Sequence, residues 1–465
     1  PVDSVTVSEL PKSIREKGKN LKSLLEVAGN INFDDANVSF TALDVQDAIE
    51  SVANNYVAGG DIDLNGYSIQ NVESIQQTEI YGIDWNKETD TITRIGQSEG
   101  LTRADFDSIS PWQNMRRCNV ADNGTVNAYH GDVDYVEDGS NGQVMVQIPK
   151  FWYKSEVTEV GYRWHVSPKA REGFELHPAF MRAGEVKDYI YIGAFGAALY
   201  DSSAGAYAGD GVTYDYANDV LASVTGYQPI SGATDHLDIG EARQMAENRG
   251  TGWTQQDFLT VSAIQLLYSI EYANFDMQST ISEGITNLDS GDSNHSQNTG
   301  HTSELGNESG EVVISSLENG ATGATETYAM SYRGIENLFG NIWGLTDGLI
   351  IKDDGYYYED DPTNFNDTAD GYKKVALSVL TDDDGYIDDI EYGSELDFGF
   401  LGASANGAST THLHDKQWPH DSGKVNIAVF GGLWYHGSGA GAFTWLFRTE
   451  AAGSDRYRSA RLLYV

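Results

Sequence analysis

From Tyr81 to Tyr153 the chain repeats one pattern: short runs of alternating apolar and polar residues, broken at turn dipeptides. The segments EIYGIDWNKETDTITRIG and GTVNAYHGDVDYVEDGSNGQVMVQIPKFWYK carry the pairs Asn123-Gly124, Asp138-Gly139 and Asn141-Gly142. Glycine and asparagine tolerate the left-handed backbone of a tight hairpin turn. A period of two puts one face of an extended segment toward a core and does not suit a helix. These residues must therefore form antiparallel sheet. Composition extends the constraint to the whole chain, with 50 Gly, 9 Pro and 27 Tyr among 465 residues. The expected class is α+β and β-rich, in roughly two to four domains.

Two segments have helical period instead. DIGEARQMAENRG places Ile239, Ala242, Met245 and Ala246 on one face and stops at Gly250. DFLTVSAIQLLYSIEYANF carries Leu259, Ala263, Leu266, Leu267, Ile270 and Tyr272 and is apolar nearly all round, which predicts a buried helix. Residues 277–327, rich in Gly, Ser, Asn and Thr, read as a surface insertion.

The first 78 residues differ. They hold the basic cluster Lys12, Arg15, Lys17, Lys19 and Lys22, which is either a docking surface or a solvated helix face. TALDVQDAIESVANN predicts a short helix, and Ile62, Leu64, Ile69 and Val72 flank an Asn65-Gly66 turn in a hairpin-like pattern. None of these pieces has enough apolar area to stand alone, so residues 1–78 are expected to form an oligomeric stalk, threefold by association. The layout that follows is a stalk at 1–78, a β-rich intermediate domain at 79–158, and a C-terminal domain at 159–465.

Charge and cysteine narrow the chemistry. A net charge of −41 repels nucleic acid and anionic membranes. The single cysteine, Cys118, excludes an intrachain disulfide and a cysteine zinc site, and it reads as a small core residue. No apolar run spans a bilayer, and the N-terminus lacks the charged start and apolar run of a secretion signal. HExxH, GxSxG and P-loop patterns are absent. TDDDGYIDDIE has an EF-hand's Gly385 and Glu391 but Leu380 at its first position, so it reads as an Asp-Gly turn. IKDDGYYYEDD repeats the Asp-Asp-Gly-Tyr unit, which predicts two similar hairpin turns. The clustered Asp353, Asp354, Glu359, Asp360 and Asp361 leave loose calcium binding open; no other cofactor is expected. His412, His414 and His420 read as surface-loop residues rather than metal ligands.

The C-terminus ends VFGGLWYHGSGAGAFTWLFRTEAAGSDRYRSARLLYV. If Val429–Trp434 and Ala460–Tyr464 are core strands, residues 435–458 must loop over a surface. Tyr, Trp and Arg give large contact area at small entropic cost. The candidate contact residues are Tyr435, His436, Thr444, Trp445, Arg448, Glu450, Asp455, Arg456 and Tyr457. For Phe443, Trp445 and Phe447, burial of one strand face is an equal alternative. Arg448, Arg456 and Arg458 suit carboxylate-bearing or acidic-sugar ligands. Trp343 and Trp434 read as core, and Arg461 should pair with a buried acid, Asp347 or Glu336.

RGIENLFGNIWGLTDG (333–348), with Gly340, Asn341 and Trp343, and the pair VFGGLW and SARLLY resemble C-type-lectin-like domains of the formylglycine-generating-enzyme type. Such domains occur in phage tail proteins and in the variable proteins of diversity-generating retroelements. QVMVQIPKFWYK and HPAFMRAGEVKDYIYIGAF look like phage tail-tip segments, and FTALDVQDAIESV resembles a repeat near the start of phage fibres. The resemblance implies a virion protein of the tail fibre or tail tip. It would dock other tail proteins through its N-terminus as a homotrimer and bind a host surface receptor, protein or glycan, through its lectin-like face. It also implies a structural role for Asn341, Trp343, Trp434 and Arg461. Formylglycine-generating enzymes use C-terminal cysteines, which this chain lacks, so no enzyme activity is expected. The alternative is a tail depolymerase, which needs two carboxylates at glycosidase spacing in a groove. A cell-surface adhesin is a third reading, disfavoured by the missing export signal.

Overall fold

The computed structural model describes residues 79–465 apart from 325, 381–383 and 412, and before them the backbone of 62–63 and 68–69. The chain divides into two units, Pro1–Glu79 and Ile80–Val465. In the first, Ile62 pairs with Ile69 and Asp63 with Ser68. That matches the hairpin-like pattern there. The basic cluster, the expected helix at 41–55 and the rest of the stalk lie outside the described residues.

The second unit is β-rich, with two main helices. Its sheets show why no boundary falls at 158. Trp152–Val157 and Tyr81–Asn86 both pair with Gly161–Ser167 in a five-stranded sheet. Gln143–Pro149 pairs with Tyr189–Gly193 in a six-stranded sheet, which the C-terminal strand Leu462–Tyr464 joins between Tyr189–Gly193 and Trp253–Gln255. The expected intermediate domain at 79–158 is thus woven into the rest: alternation marks strands but not their long-range partners. Cys118 is buried in that six-stranded sheet, and burial pushes its thiol up to about 12, which makes it an inert core residue.

The third sheet positions the site. Its strands run in the order Lys373–Val375, Gly355–Tyr358, Trp343–Lys352, Asn426–Phe430, Trp445–Thr449, Lys416–Trp418 and Gly385–Tyr386. Arg458–Ser459 pairs in parallel beside the start of Trp343–Lys352. Lys352 faces Gly355 across the tight turn at Asp353-Asp354, as the Asp-Asp-Gly-Tyr unit predicts. In the second such unit the described Gly385 and Tyr386 pair with Gln417 and Lys416, far along the chain.

Both predicted helices form. Ile239–Glu247 is capped by Asp238, whose carboxylate accepts from the Glu241 amide at 2.9 Å, and buries the four predicted apolar residues. Phe258–Tyr272, capped by Asp257, buries all but its last residue. It runs through the largest core cluster, and a buried Arg182–Asp257 ion pair at 2.7 Å fixes its start. At its far end Glu271 accepts from Arg333 at 2.7 Å and from the Tyr332 hydroxyl at 2.9 Å.

Residues 277–327 are not a surface insertion. Asn294, Ser296, Gln297, Thr299 and Thr302 are buried. Between a helical turn at Met277–Thr280 and a strand at Gly310–Val313, side-chain amides hold the irregular part: the Asn341 side-chain oxygen accepts from the Gln297 backbone amide at 2.7 Å, and the Gln297 side chain donates to the His295 carbonyl at 2.8 Å. A polar composition therefore concealed a packed segment. Among the described residues, no helix is long and apolar enough to cross a membrane.

Candidate functional site

Three contacts tie down the C-terminal segment. Gly431 and Gly432 have φ of 96° and 90°, which reverses the chain after Asn426–Phe430. A Cβ on Gly432 would lie 2.6 Å from the Ala440 Cβ, so the turn closes only with glycine there. The Trp343 amide donates to the Tyr457 carbonyl at 3.0 Å. Arg461 then anchors the closing strand. Its Nη1 donates to the carbonyls of Gly193 and Ala194 at 2.8 and 3.2 Å, and its Nη2 to those of Glu336 and Asn337 at 2.7 and 3.0 Å.

The expected acid partner of Arg461 is thus corrected. Asp347 instead holds Arg243, at 2.7 and 2.8 Å. The Glu336 carboxylate accepts from the amides of Gly300 and Thr302 at 2.8 and 2.7 Å. Burial pulls the Arg461 guanidinium down to about 10, opposed by the nearby Glu336 charge. Asn341, Trp343 and Trp434 are buried, as expected of core residues, and Asn341 has a positive φ of 56° at the turn.

The nine candidate contact residues separate into three places. Thr444 and Trp445 are fully buried, and this corrects their placement on the face. The Thr444 hydroxyl donates to the Gly439 carbonyl at 2.9 Å, and the Trp445 indole donates to the Phe400 carbonyl at 3.1 Å. Residues 445–449 are an interior strand, not part of a loop, and Trp445 stacks on Phe447 against Phe258 and Phe430. Phe443, also buried, donates its amide to Asp415 at 2.7 Å. One strand face is simply buried.

Arg448 and Glu450 are exposed but lie toward the other end of this strand. Arg448 pairs with Asp384 and Glu450 with Lys424, so both are neutralised by neighbours. Asp455 pairs with Arg458 at 2.9 Å and accepts from the Tyr457 amide at 2.8 Å, which makes it a scaffold for the turn.

Tyr435, His436, Arg456 and Tyr457 come together, all half-buried. The rings run in series: Tyr457 to Tyr435 at 5.8 Å, Tyr435 to His436 at 5.1 Å, and His436 stacked on Trp418 at 4.8 Å and 28°. Trp434 and Trp343 lie beneath as buried supports, 5.5 Å from Tyr457 and 5.4 Å from His436. Arg456 lies over the Tyr457 ring at 4.5 Å and donates to its hydroxyl at 2.6 Å. Burial and Lys416 pull His436 down to about 4, so it is neutral at pH 7. Burial and Tyr457 push the Tyr435 phenol up to about 12.

Three members of this surface were not among the candidates: Trp418, Lys416 and Tyr386. Lys416 lies over the Tyr386 ring at 5.0 Å, and the Tyr386 and Ser438 hydroxyls are 2.8 Å apart. For Lys416 and Trp418 the only signal was the alternating KQW before Pro419, which marks a strand that pairing then carries to the site; Tyr386 lay in the stretch read as an Asp-Gly turn.

The histidine expectation is also corrected. His414 and His420 are buried, not on surface loops; each contacts a carboxylate, Asp276 at 3.2 Å and Asp353 at 3.0 Å. His412 lies outside the described residues. Among the described residues no group of three or more His, Cys, Asp or Glu side chains is placed to hold a metal. No family model matches the chain, and no curated protein matches it.

Proposed function

We propose that this chain is a receptor-binding protein of a phage tail fibre or tail tip, and that it adheres to a host surface molecule through its C-terminal, lectin-like end. The observation that carries this reading is the half-buried ring series Tyr457–Tyr435–His436–Trp418, set on a rigid base of Trp434 and Trp343. Rigid aromatic surface held partly open to solvent by a packed scaffold is costly to keep without a partner and is typical of contact hot spots. The long β-rich unit with its closing strand pinned by Arg461 supports a C-type-lectin-like reading of the fold. The N-terminal unit then docks other tail proteins and trimerises on the virion, where three copies multiply a weak single-site affinity. The chain is read as a non-enzyme.

The test is adhesion of the full-length chain, fluorescently labelled, to a panel of bacterial cells, with their purified polysaccharides incubated in parallel. The reading expects binding to at least one strain and no shortening of any polysaccharide. Binding to none contradicts adhesion; shortening favours the depolymerase.

A further inference from the structure

Building on the adhesive face just proposed, we infer that its ligand is a saccharide bearing carboxylate groups, held between Arg456 and Lys416. The chain carries 70 Asp and Glu against 29 Lys and Arg, so a surface cation normally finds an acid. Other cations on and beside the C-terminal segment do. Arg448 pairs with Asp384, Arg458 with Asp455, and Lys424 with Glu450. Arg456 and Lys416 have no carboxylate partner among the described residues. Each lies over a tyrosine instead: Arg456 over Tyr457, at one end of the ring series, and Lys416 over Tyr386, close enough to His436 to act on its charge. The Arg456 Nη2 donates to the Tyr457 hydroxyl at 2.6 Å, and its Nε is buried, so the charge as a whole rather than a free fork is what it offers a carboxylate. Fields are screened within about 8 Å at physiological salt. These two local charges therefore outweigh the distant net charge of −41 for a ligand in contact.

The rings between the cations favour sugar over protein. Aromatic rings stack on the apolar C–H faces of sugar rings, and this cluster keeps four of them half-buried rather than sealed, with Tyr435 edge-on to Tyr457 and His436 and the His436 ring stacked on Trp418. The Tyr386 and Ser438 hydroxyls, beside Lys416, supply hydrogen bonds of the type sugar hydroxyls exchange. His436 stays neutral and adds a ring without a third charge. A protein partner engages about 20–30 residues a side; this face has far fewer. A chain of sugar rings repeats its unit and offsets a small footprint through avidity.

The experiment titrates the full-length chain with tetrasaccharides of galacturonate, glucuronate, mannuronate and sialic acid, each beside its carboxyl methyl ester, and with poly-glutamate as the acidic-peptide source. The expected result is binding of at least one acidic sugar. Methyl esterification should weaken it at least tenfold, and R456Q and K416Q should each weaken it at least fivefold, with unchanged melting temperature. Equal binding of acid and ester, equal binding of poly-glutamate, or no acidic sugar bound at all each overturns the inference. Cell adhesion of the Tyr435→Ala, Tyr457→Ala double variant is measured alongside. If adhesion is lost while the sugar panel is blank, only the ligand class is wrong; if adhesion persists, the face itself is wrong.

Discussion

Arg461 and Glu336 are neighbours that do not form an ion pair: the guanidinium donates to the Glu336 carbonyl at 2.7 Å, while the Glu336 carboxylate turns to the amides of Gly300 and Thr302. One residue thus receives the closing strand with its backbone and holds the packed 277–327 segment with its side chain. The base under the ring series depends on both contacts.

Arg461→Met takes the guanidinium donors from four carbonyls, three of them in buried contacts; Ala194 keeps another donor, the Glu336 amide. Loss of one partner from such a buried, charge-assisted set is expected to lower the unfolding free energy by about 3–5 kcal/mol. Denaturant unfolding measures it. Glu336→Gln should cost less, because its one amide oxygen can still accept from the Thr302 amide and hydroxyl, while the Gly300 amide, bonded to the other oxygen, loses its acceptor.

Arg448→Ala and Glu450→Ala should leave adhesion unchanged and shift stability by less than about 1 kcal/mol. Both are exposed, each is already paired with a surface charge, and neither touches the ring series. A binding assay against wild type checks this; loss of adhesion in either would move the face along the strand.

How much of this was legible in the sequence follows from the range of the interactions. Capping and period are local, so the helices at 239–247 and 258–272 and the turn at Asp353-Asp354 were readable. Tyr435, His436, Arg456 and Tyr457 were identified from composition near two anchored ends, and the structure brings them together. Trp445 was misplaced because alternation cannot say which face is buried when both are partly apolar. Lys416 and Trp418 reach the site only by parallel pairing of 417 and 418 with 445 and 446, a contact with no local signature. The Asn341–Gln297 hydrogen bonds likewise made a polar stretch into core.

Glu391 gives a pH signature. Burial, and then the Asp389 charge, pushes its carboxyl from the ordinary 4.5 up to about 7. The folded chain thus keeps a proton that the unfolded chain releases, so this group's contribution is full below about pH 4.5 and is lost as pH rises through 7. Thermal stability of wild type should therefore fall relative to Glu391→Gln between pH 5 and 7.5. Parallel pH profiles for the two proteins would refute this assignment.

Light scattering of the full-length chain should give the mass of three copies. A monomeric mass would remove the trimeric stalk, and with it the avidity argument, while leaving the face intact.

The most direct test of the central claim is adhesion of the Tyr435→Ala, Tyr457→Ala double variant to a strain that wild type binds. Both side chains are half-buried, and their ring contacts are worth about 0.5–1.5 kcal/mol, so the variant should remain folded with a melting temperature only a few degrees lower. The account predicts at least a tenfold loss of cell binding. Binding equal to wild type by a folded variant would contradict it.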